Sequence, residues 1–204
     1  MNGGNIRNLK YDAMYSSSYS SALLERSYYA DIWSSPVVGA NHKASFAIDD
    51  KVDHSKAAGN YRSKSGFQKP WIEIHLTSPV LISGLEVTTL GHEDKKRFKK
   101  VIFRAGLTQS PLANGGGGNA LQTHNTYVYE YVDQGNTKGE VIYINFPEPM
   151  VAKYILLQGN DFKGSRQPTD SVVLEMAEVR IIKCKFLGGL EILTITTSTH
   201  RFYF

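Results

Sequence analysis

Trp71-Ile72-Glu73-Ile74-His75-Leu76 alternates its side chains with a period of two. That spacing sends Ile72, Ile74 and Leu76 to one face of an extended chain and Trp71, Glu73 and His75 to the other. A helix would scatter the same residues round its circumference. The pattern recurs along the chain. Residues 80–90 offer Leu81, Leu85 and Val87 as core residues, and 101–105 reads as a further strand. Tyr127, Tyr129 and Tyr131 line one face of the next, opposite Val128 and Val132, and Ile142, Ile144 and Phe146 share a face of 141–146. After Pro147 and Pro149, Tyr154-Ile155-Leu156-Leu157 is a nearly continuous apolar run, which marks a strand buried on both faces. Residues 172–182 end the set, with Val173, Ala177, Val179 and Ile181 together. Helical signal is thin: residues 20–32 suit one short helix or an irregular loop.

About six or seven such strands, punctuated by Gly, Pro and Asn, predict an all-β protein built as an antiparallel β-sandwich. Composition agrees, since 12 Tyr, 9 Phe, 2 Trp and 18 Gly favour strands joined by turns. A chain of 204 residues suits one domain with decorations better than two full domains. No internal repeat is visible, which excludes propellers and solenoids. Asn114-Gly115-Gly116-Gly117-Gly118-Asn119 reads as a flexible excursion between strands, and residues 159–170 form a second polar loop. From Phe186 to Phe204 the sequence turns to Leu, Ile, Thr and aromatic residues almost without charge. This is either an added hairpin or a C-terminal extension, and residues 185–204 are set apart here as an extension.

Charge and motifs narrow the function. The 23 basic and 19 acidic residues leave a net charge of +4, a mild attraction to anionic surfaces that names no partner. No nucleic-acid motif or basic helix is present, so nucleic acid is not an expected partner. No run approaches the roughly 18 apolar residues of a membrane span, and residues 1–5 show no signal peptide. The chain lacks a Gly-x-Ser-x-Gly elbow, a His-Glu-x-x-His zinc site and a phosphate-binding glycine loop leading into a helix. Its six histidines are scattered singly. The single cysteine, Cys184, permits no internal disulfide, and its neighbours Lys183 and Lys185 are expected to favour its thiolate. These observations point away from an enzyme.

One acidic segment invites chemistry. Ala47-Ile48-Asp49-Asp50-Lys51-Val52-Asp53-His54 leads from a short apolar stretch into a turn-rich region, 56–66. Hard cations such as calcium want several oxygens at once, typically one or two carboxylates with carbonyls from a bent loop. The spacing is not that of an EF-hand, so a polar turn and a calcium loop both fit these residues.

Six segments in order resemble the discoidin and coagulation-factor C-type (galactose-binding-like) domains, and most closely the F-type lectins, or fucolectins. Asn8-Leu9 through Ala13 to Ser16-Ser17-Ser18-Tyr19 is similar to the family's opening strand. Ala44-Ser45-Phe46-Ala47-Ile48-Asp49-Asp50 resembles its Ala-x-x-Ala-Ile-Asp-Gly segment, and Pro70-Trp71-Ile72-Glu73-Ile74-His75-Leu76 its Pro-Trp-Trp-x-Val-Asp-Leu strand. Ile82-Ser83-Gly84-Leu85-Glu86-Val87 is similar to the strand after it. Lys153-Tyr154-Ile155-Leu156-Leu157 resembles Arg-Tyr-Val-x-Ile, and Leu174-Glu175-Met176-Ala177-Glu178-Val179 resembles Leu-x-Leu-Cys/Ala-Glu-Val. The resemblance covers residues 5–184.

It implies a jelly-roll β-sandwich with ligand-binding loops at one end and a structural calcium ion beneath them. Carried over residue by residue, Asp49 and Glu178 would give carboxylate oxygens, Phe46, Lys51 and Ala177 carbonyls, and Asn60 a further oxygen. The family's sugar motif falls on Gly91-His92-Glu93-Asp94-Lys95-Lys96-Arg97-Phe98-Lys99, where Asp94 and Lys99 keep the family's spacing and His92 stands in place of an arginine. His54, His92, Asp94, Arg97 and Lys99 are therefore the candidate carbohydrate-binding residues. The implied function is non-catalytic recognition of glycans or glycoproteins, extracellular or at a cell surface. The same resemblance admits two alternatives. One is a protein- or phospholipid-binding adhesion module, with Trp33, Phe67 and Phe162 as candidate loop tips. The other is a carbohydrate-binding appendage of a larger enzyme.

Overall fold

Trp71 to Leu76 are all buried, on both faces of one continuous strand, in the computed structural model of the chain. The structure describes residues 19–51, 59–90, 98, 100–132, 139–160 and 173–186. The chain divides into a unit from Ser21 to Cys184 and a second made of residues 1–20 and 185–204. The first unit carries the fold. The strands of the described residues are β1 (Tyr19–Leu23), β2 (Tyr29–Ser34), β3 (Tyr61–Arg62), β4 (Trp71–Thr88), β5 (Lys100–Gly106), β6 (Thr126–Val132), β7 (Val141–Gly159), β8 (Glu175–Met176) and β9 (Glu178–Phe186). Seven of them make one sheet in the order β1-β9-β4-β7-β5-β6, with β2 also on β4, and β3 pairs with β8. Every described pairing is antiparallel.

Two strands belong to both layers of the sandwich. The first half of β4 pairs with β2 (Ile32↔Ile74) and with the end of β7 (Ile72↔Leu157). Its second half pairs with the start of β7 (Leu85↔Ile144) and with β9 (Val87↔Val179). Between the halves the ladder breaks from His75 to Val80, where Thr77, Ser78 and Pro79 are exposed. Pro79, which cannot donate to a ladder, sits at this unpaired bend. Pro147 and Pro149 occupy a second break in the same ladder, between the Asn145↔Gly84 and Met150↔Ile82 pairs, where β7 carries the extra residues. The sheet curls over at these points, so its halves face each other across one core. Ile72, Ile74 and Leu76 supply one side of that core, and Ile82, Leu85 and Val87 the other. Each fully buried aliphatic side chain here is worth about 1.5–3 kcal/mol.

The bend returns both ends of β4 to one rim. Tyr61 of β3 donates its hydroxyl to the Trp71 carbonyl at 3.0 Å. Beside its partner strand β8, Ala177 donates its amide to the Thr88 carbonyl at 2.9 Å.

Several expectations are corrected. Residues 20–32 form β1, a 3-10 turn at Arg26–Tyr28 and β2 rather than a helix, because β2 pairs with β4 and Leu24 donates to the Ile181 carbonyl at 2.7 Å. Pairing across the sheet overrides local preference. A register shift between Ile82 and Gly84 puts Ile82 in the core in place of Leu81, which is half-buried. A second shift, between Phe103 and Arg104, breaks the tyrosine row. Tyr129 lies opposite core residue Phe103, but Tyr127 lies opposite Arg104 with the guanidinium over its ring at 5.7 Å. The extra residue of the bulge is Val128, which packs on the core beside Tyr131. The last strand is likewise interrupted at Ala177, so Leu174 and Met176 join Val179 and Ile181 in the main core cluster, while Ala177 is buried outside that cluster.

The glycine run is no loose excursion. Its backbone lies against the start of β4: Trp71 Nε1 donates to the Gly117 carbonyl at 2.8 Å. Gln68 donates its amide to Asn119 Oδ1 at 3.2 Å, and Gly115 donates to the Ser34 carbonyl at 2.8 Å. A Cβ at Gly118 would come within 3.1 Å of the Phe67 side chain. Gly116 and Gly118 serve close approach, and Gly115 a left-handed backbone at φ +78°.

Candidate functional site

The rim where β4 begins and ends is built from long connections. The 3-10 turn Ala44–Ile48 buries Ala47 and Ile48 in the core, and these two anchors present Asp49 and Asp50 at the rim. Asp49 closes a local turn: Lys51 donates its amide to Oδ1 at 3.1 Å, and its ammonium lies 3.5 Å from Oδ2. Asp50 has φ +62°, a left-handed conformation that short polar side chains tolerate best. Its backbone amide lies near the Glu178 carboxylate and favours that group's charged form.

Glu178 opens β9 opposite Thr88 and is buried. Burial pushes its carboxyl up to about 8, with the charges of Asp50 and Asp49 adding to the rise while the Asp50 amide and Arg180 oppose it. Glu178 Oε2 and Thr88 Oγ1 are buried with no hydrogen-bond partner among the described residues. As a cross-strand pair the two side chains share one face of the sheet. Arg180 Nε is 3.9 Å from Asp50 Oδ1, and its Nη1 is 3.4 Å from Glu86 Oε1.

The fold thus brings Asp49 and Glu178, far apart in sequence, into electrostatic contact, with Ala177 adjoining. Phe46 lies in the turn just before Asp49, and Lys51 just after it. Asn60 is buried and engaged at both ends of its amide. Its Oδ1 is 2.7 Å from His42 Nδ1, and its Nδ2 donates to Glu175 Oε1 at 2.7 Å. Thr88 was not singled out in the sequence, because nothing local distinguishes it from any strand threonine. Among the described residues no three His, Cys, Asp or Glu side chains are arranged to hold a metal ion. A cation here would draw on carbonyl and hydroxyl oxygens besides its carboxylates, a donor set that suits a hard ion such as calcium.

The candidate sugar residues His54, His92, Asp94, Arg97 and Lys99 lie outside the described residues. The chain leaves for the 91–99 segment from Leu90, whose carbonyl accepts from Gly139 at 3.0 Å, and rejoins at Lys100. Within it Phe98 is buried, its ring 5.5 Å from that of Tyr131. Of the candidate loop tips, Phe162 also lies outside the described residues. Phe67 packs over Gly118, and Trp33 sits half-buried with its ring 4.8 Å from that of His75. Both rings are committed to packing.

The face of β4 that carries Trp71, Glu73 and His75 is also covered. Glu73, fully buried, accepts from His75 Nε2 at 2.9 Å and from the Ser110 amide at 3.0 Å through Oε1, and from His124 Nε2 at 2.9 Å through Oε2. The carboxylate clamps the 107–125 connection onto the outside of the sheet. Cys184 departs from the expected thiolate. Burial pushes its thiol up, while Lys183 turns away to Glu25 at 3.1 Å and lies over the Tyr28 ring at 5.1 Å.

No family model matches the sequence, and no curated protein does. Solved structures do match. A fucolectin from striped bass (Morone saxatilis) serum superposes with a TM-score of 0.63 at 18% identity, over 79% of this chain and 49% of that one. The match thus spans about half of the fucolectin chain. The family 32 carbohydrate-binding module of NanJ from C. perfringens, solved with galactose, gives a TM-score of 0.58 at 16% identity, over 80% of this chain and 100% of the module. An F5/8 type C domain from Bacteroides fragilis gives 0.56 at 13% identity, over 83% and 99%. With its curled antiparallel sheet, its shared strands and these superpositions, the chain has the galactose-binding-like β-sandwich fold of discoidin-type domains.

Proposed function

We propose that this chain is a non-catalytic carbohydrate-binding module whose rim is tied together by a structural calcium ion. Binding of glycans or glycoproteins outside the cell or at its surface is the role this reading assigns. Its support is the fold, shared with modules solved with galactose, with Lewis b and with GalNAc-β-1,3-galactose. The observation that carries it is Glu178: a buried carboxylate with one oxygen unmet among the described residues, facing the charges of Asp49 and Asp50. Such a group is costly to bury without a proton or a cation beside it.

The residues that would hold calcium are Asp49 and Glu178 through carboxylates, Thr88 through its hydroxyl, and Phe46, Lys51 and Ala177 through carbonyls. Asn60 sits in the layer behind, held by His42 and Glu175. Calcium would supply positive charge beside the buried Glu178 carboxylate, which feels the charges of Asp49 and Asp50, joining the loop after Ile48 to the first residue of β9. Sugar contacts are assigned to His54, His92, Asp94, Arg97 and Lys99, whose carboxylate, ammonium, guanidinium and imidazole groups suit hydroxyl recognition. Affinity of one such site is weak, so avidity from several copies would carry biological binding.

A glycan array run with calcium and with EDTA tests the reading, beside a pull-down on anionic liposomes. Calcium-dependent signal on a defined set of glycans is the expected result. Liposome binding with a blank array would assign the chain to the phospholipid-binding alternative instead. Identical melting temperatures in excess calcium and in EDTA would remove calcium from the proposal.

A further inference from the structure

Along the edge of β2 away from β4 lies a cleft of about 470 Å³, within the ~300–1,000 Å³ typical of small-molecule sites. Asp31, Ser34, Lys43, Ser45, Asn114 and Gly115 are among its lining residues. None of them belongs to the segments that carry His54, His92, Asp94, Arg97 and Lys99. Among the described residues β2 pairs as a strand with β4 alone, and at Ser34 its other edge is met by Asn114 and Gly115, which wall the cleft.

Two of the lining groups are held in place. Asp31 Oδ1 accepts from the Ile32 amide at 2.8 Å, and Oδ2 accepts from Trp33 Nε1 at 2.8 Å. Each oxygen keeps a lone pair for a further donor. Asn114 Oδ1 accepts from the Ser34 amide at 3.1 Å, which fixes the side chain and leaves its NH₂ without a partner among the described residues. Lys43 has no ion-pair partner among them either. The cleft therefore presents a fixed double acceptor, a fixed amide donor, an ammonium and serine hydroxyls. Its one carboxylate and one ammonium cancel, so it offers no net charge to select an ion. A preorganised acceptor beside preorganised donors suits adjacent hydroxyls, which both give and accept hydrogen bonds.

We propose that this cleft is a second saccharide subsite that takes one neutral hexopyranose unit, with Asp31 accepting from a pair of hydroxyls and Asn114 and Lys43 donating to their oxygens. The assignment rests on the carbohydrate-binding reading above and extends it: one domain would hold two sugar units at separate places.

The test is a series of amide NMR titrations of the full ¹⁵N-labelled chain with galactose, fucose, N-acetylgalactosamine and, as a charged probe, glucuronate. At least one neutral sugar is expected to give saturable shifts at Ile32, Ser34, Ser45 and Gly115. Asp31→Ala should weaken that response about tenfold, the loss of hydrogen bonds to a charged group. Lys43→Ala, a change at an exposed side chain, should weaken it too, and Asp94→Ala should leave it within about twofold, as for independent sites. Saturable shifts confined to the 91–99 segment would overturn the cleft and leave the proposed function standing. No shift anywhere would overturn both. Cleft shifts that survive both Asp31→Ala and Lys43→Ala, or a stronger response to glucuronate than to any neutral sugar, would also overturn the assignment.

Discussion

Asp50 sits against the buried carboxylate of Glu178, its backbone amide favouring the charged form and its own charge opposing it, where the loop after the Ala44–Ile48 turn meets the first residue of β9. In this setting the Glu178 carboxyl is pushed from 4.5 up to about 8. Without a cation the folded chain then binds more protons than the unfolded one between those two values. The stability from this group is fully present below about 4.5 and is lost as pH rises through about 8. The melting temperature in EDTA should fall from about pH 5 to 8 and level above. Calcium competes with the same proton, so its stabilising effect should grow over that interval. At a hundredfold excess over Kd the effect would be about 2.7 kcal/mol. In Glu178→Gln both the slope and the calcium response should vanish. An unchanged slope in differential scanning calorimetry would refute the assignment to Glu178.

Glu73 is the acceptor for His75, the Ser110 amide and His124 at once. Glu73→Ala leaves those donors buried without a partner, and removal of one member from such a network costs about 3–5 kcal/mol. Denaturant unfolding should register the loss. Amide exchange should quicken at Ser110 more than in β7, because the 107–125 connection is released before the sheet.

Gly84 faces backbone across the sheet: an added Cβ would lie 2.5 Å from the Ile144 carbonyl oxygen. Gly84→Ala should therefore cost about 1–3 kcal/mol by overpacking. At Gly117 an added Cβ meets nothing within 4 Å, and Gly117→Ala should stay within about 0.5 kcal/mol. Equal urea midpoints for the two variants would contradict the close packing of β4 on β7.

The Cys184 thiol is half-buried and raised by burial. Its reaction with a disulfide reagent at neutral pH should be slower than that of free cysteine, since the thiolate is the nucleophile. Mild denaturant should restore the rate. A native rate above that of the free amino acid would show that Lys183 stabilises the thiolate after all.

Much of the architecture was legible because burial on one face writes itself into every second residue. Ile72, Ile74 and Leu76 were read correctly, as were Ile144 and Phe146 and the doubly buried Ile155 to Leu157. What could not be read came from one-residue shifts. The bulges near Gly84 and Val128 and the break at Ala177 exchange faces, and alternation alone carries no mark of them. The prolines misled in a second way. Pro79 and Pro147 look like strand ends, but they occupy bends of continuous strands where no ladder hydrogen bond is needed. Asp49 and Glu178 came from resemblance rather than from spacing. The unmet Thr88 hydroxyl and the buried Glu73 clamp depend on contacts that exist only after folding.

β4 and β7 are each common to both layers, and this bears on how the protein is made. Each layer needs halves of the same two strands, so neither can close before both strands are present. A nascent chain therefore has no closed layer to rest in until residues 141–159 have left the ribosome. Until then the apolar faces of β4 and β5 await their partner, a period in which aggregation competes with folding and a chaperone would find its substrate.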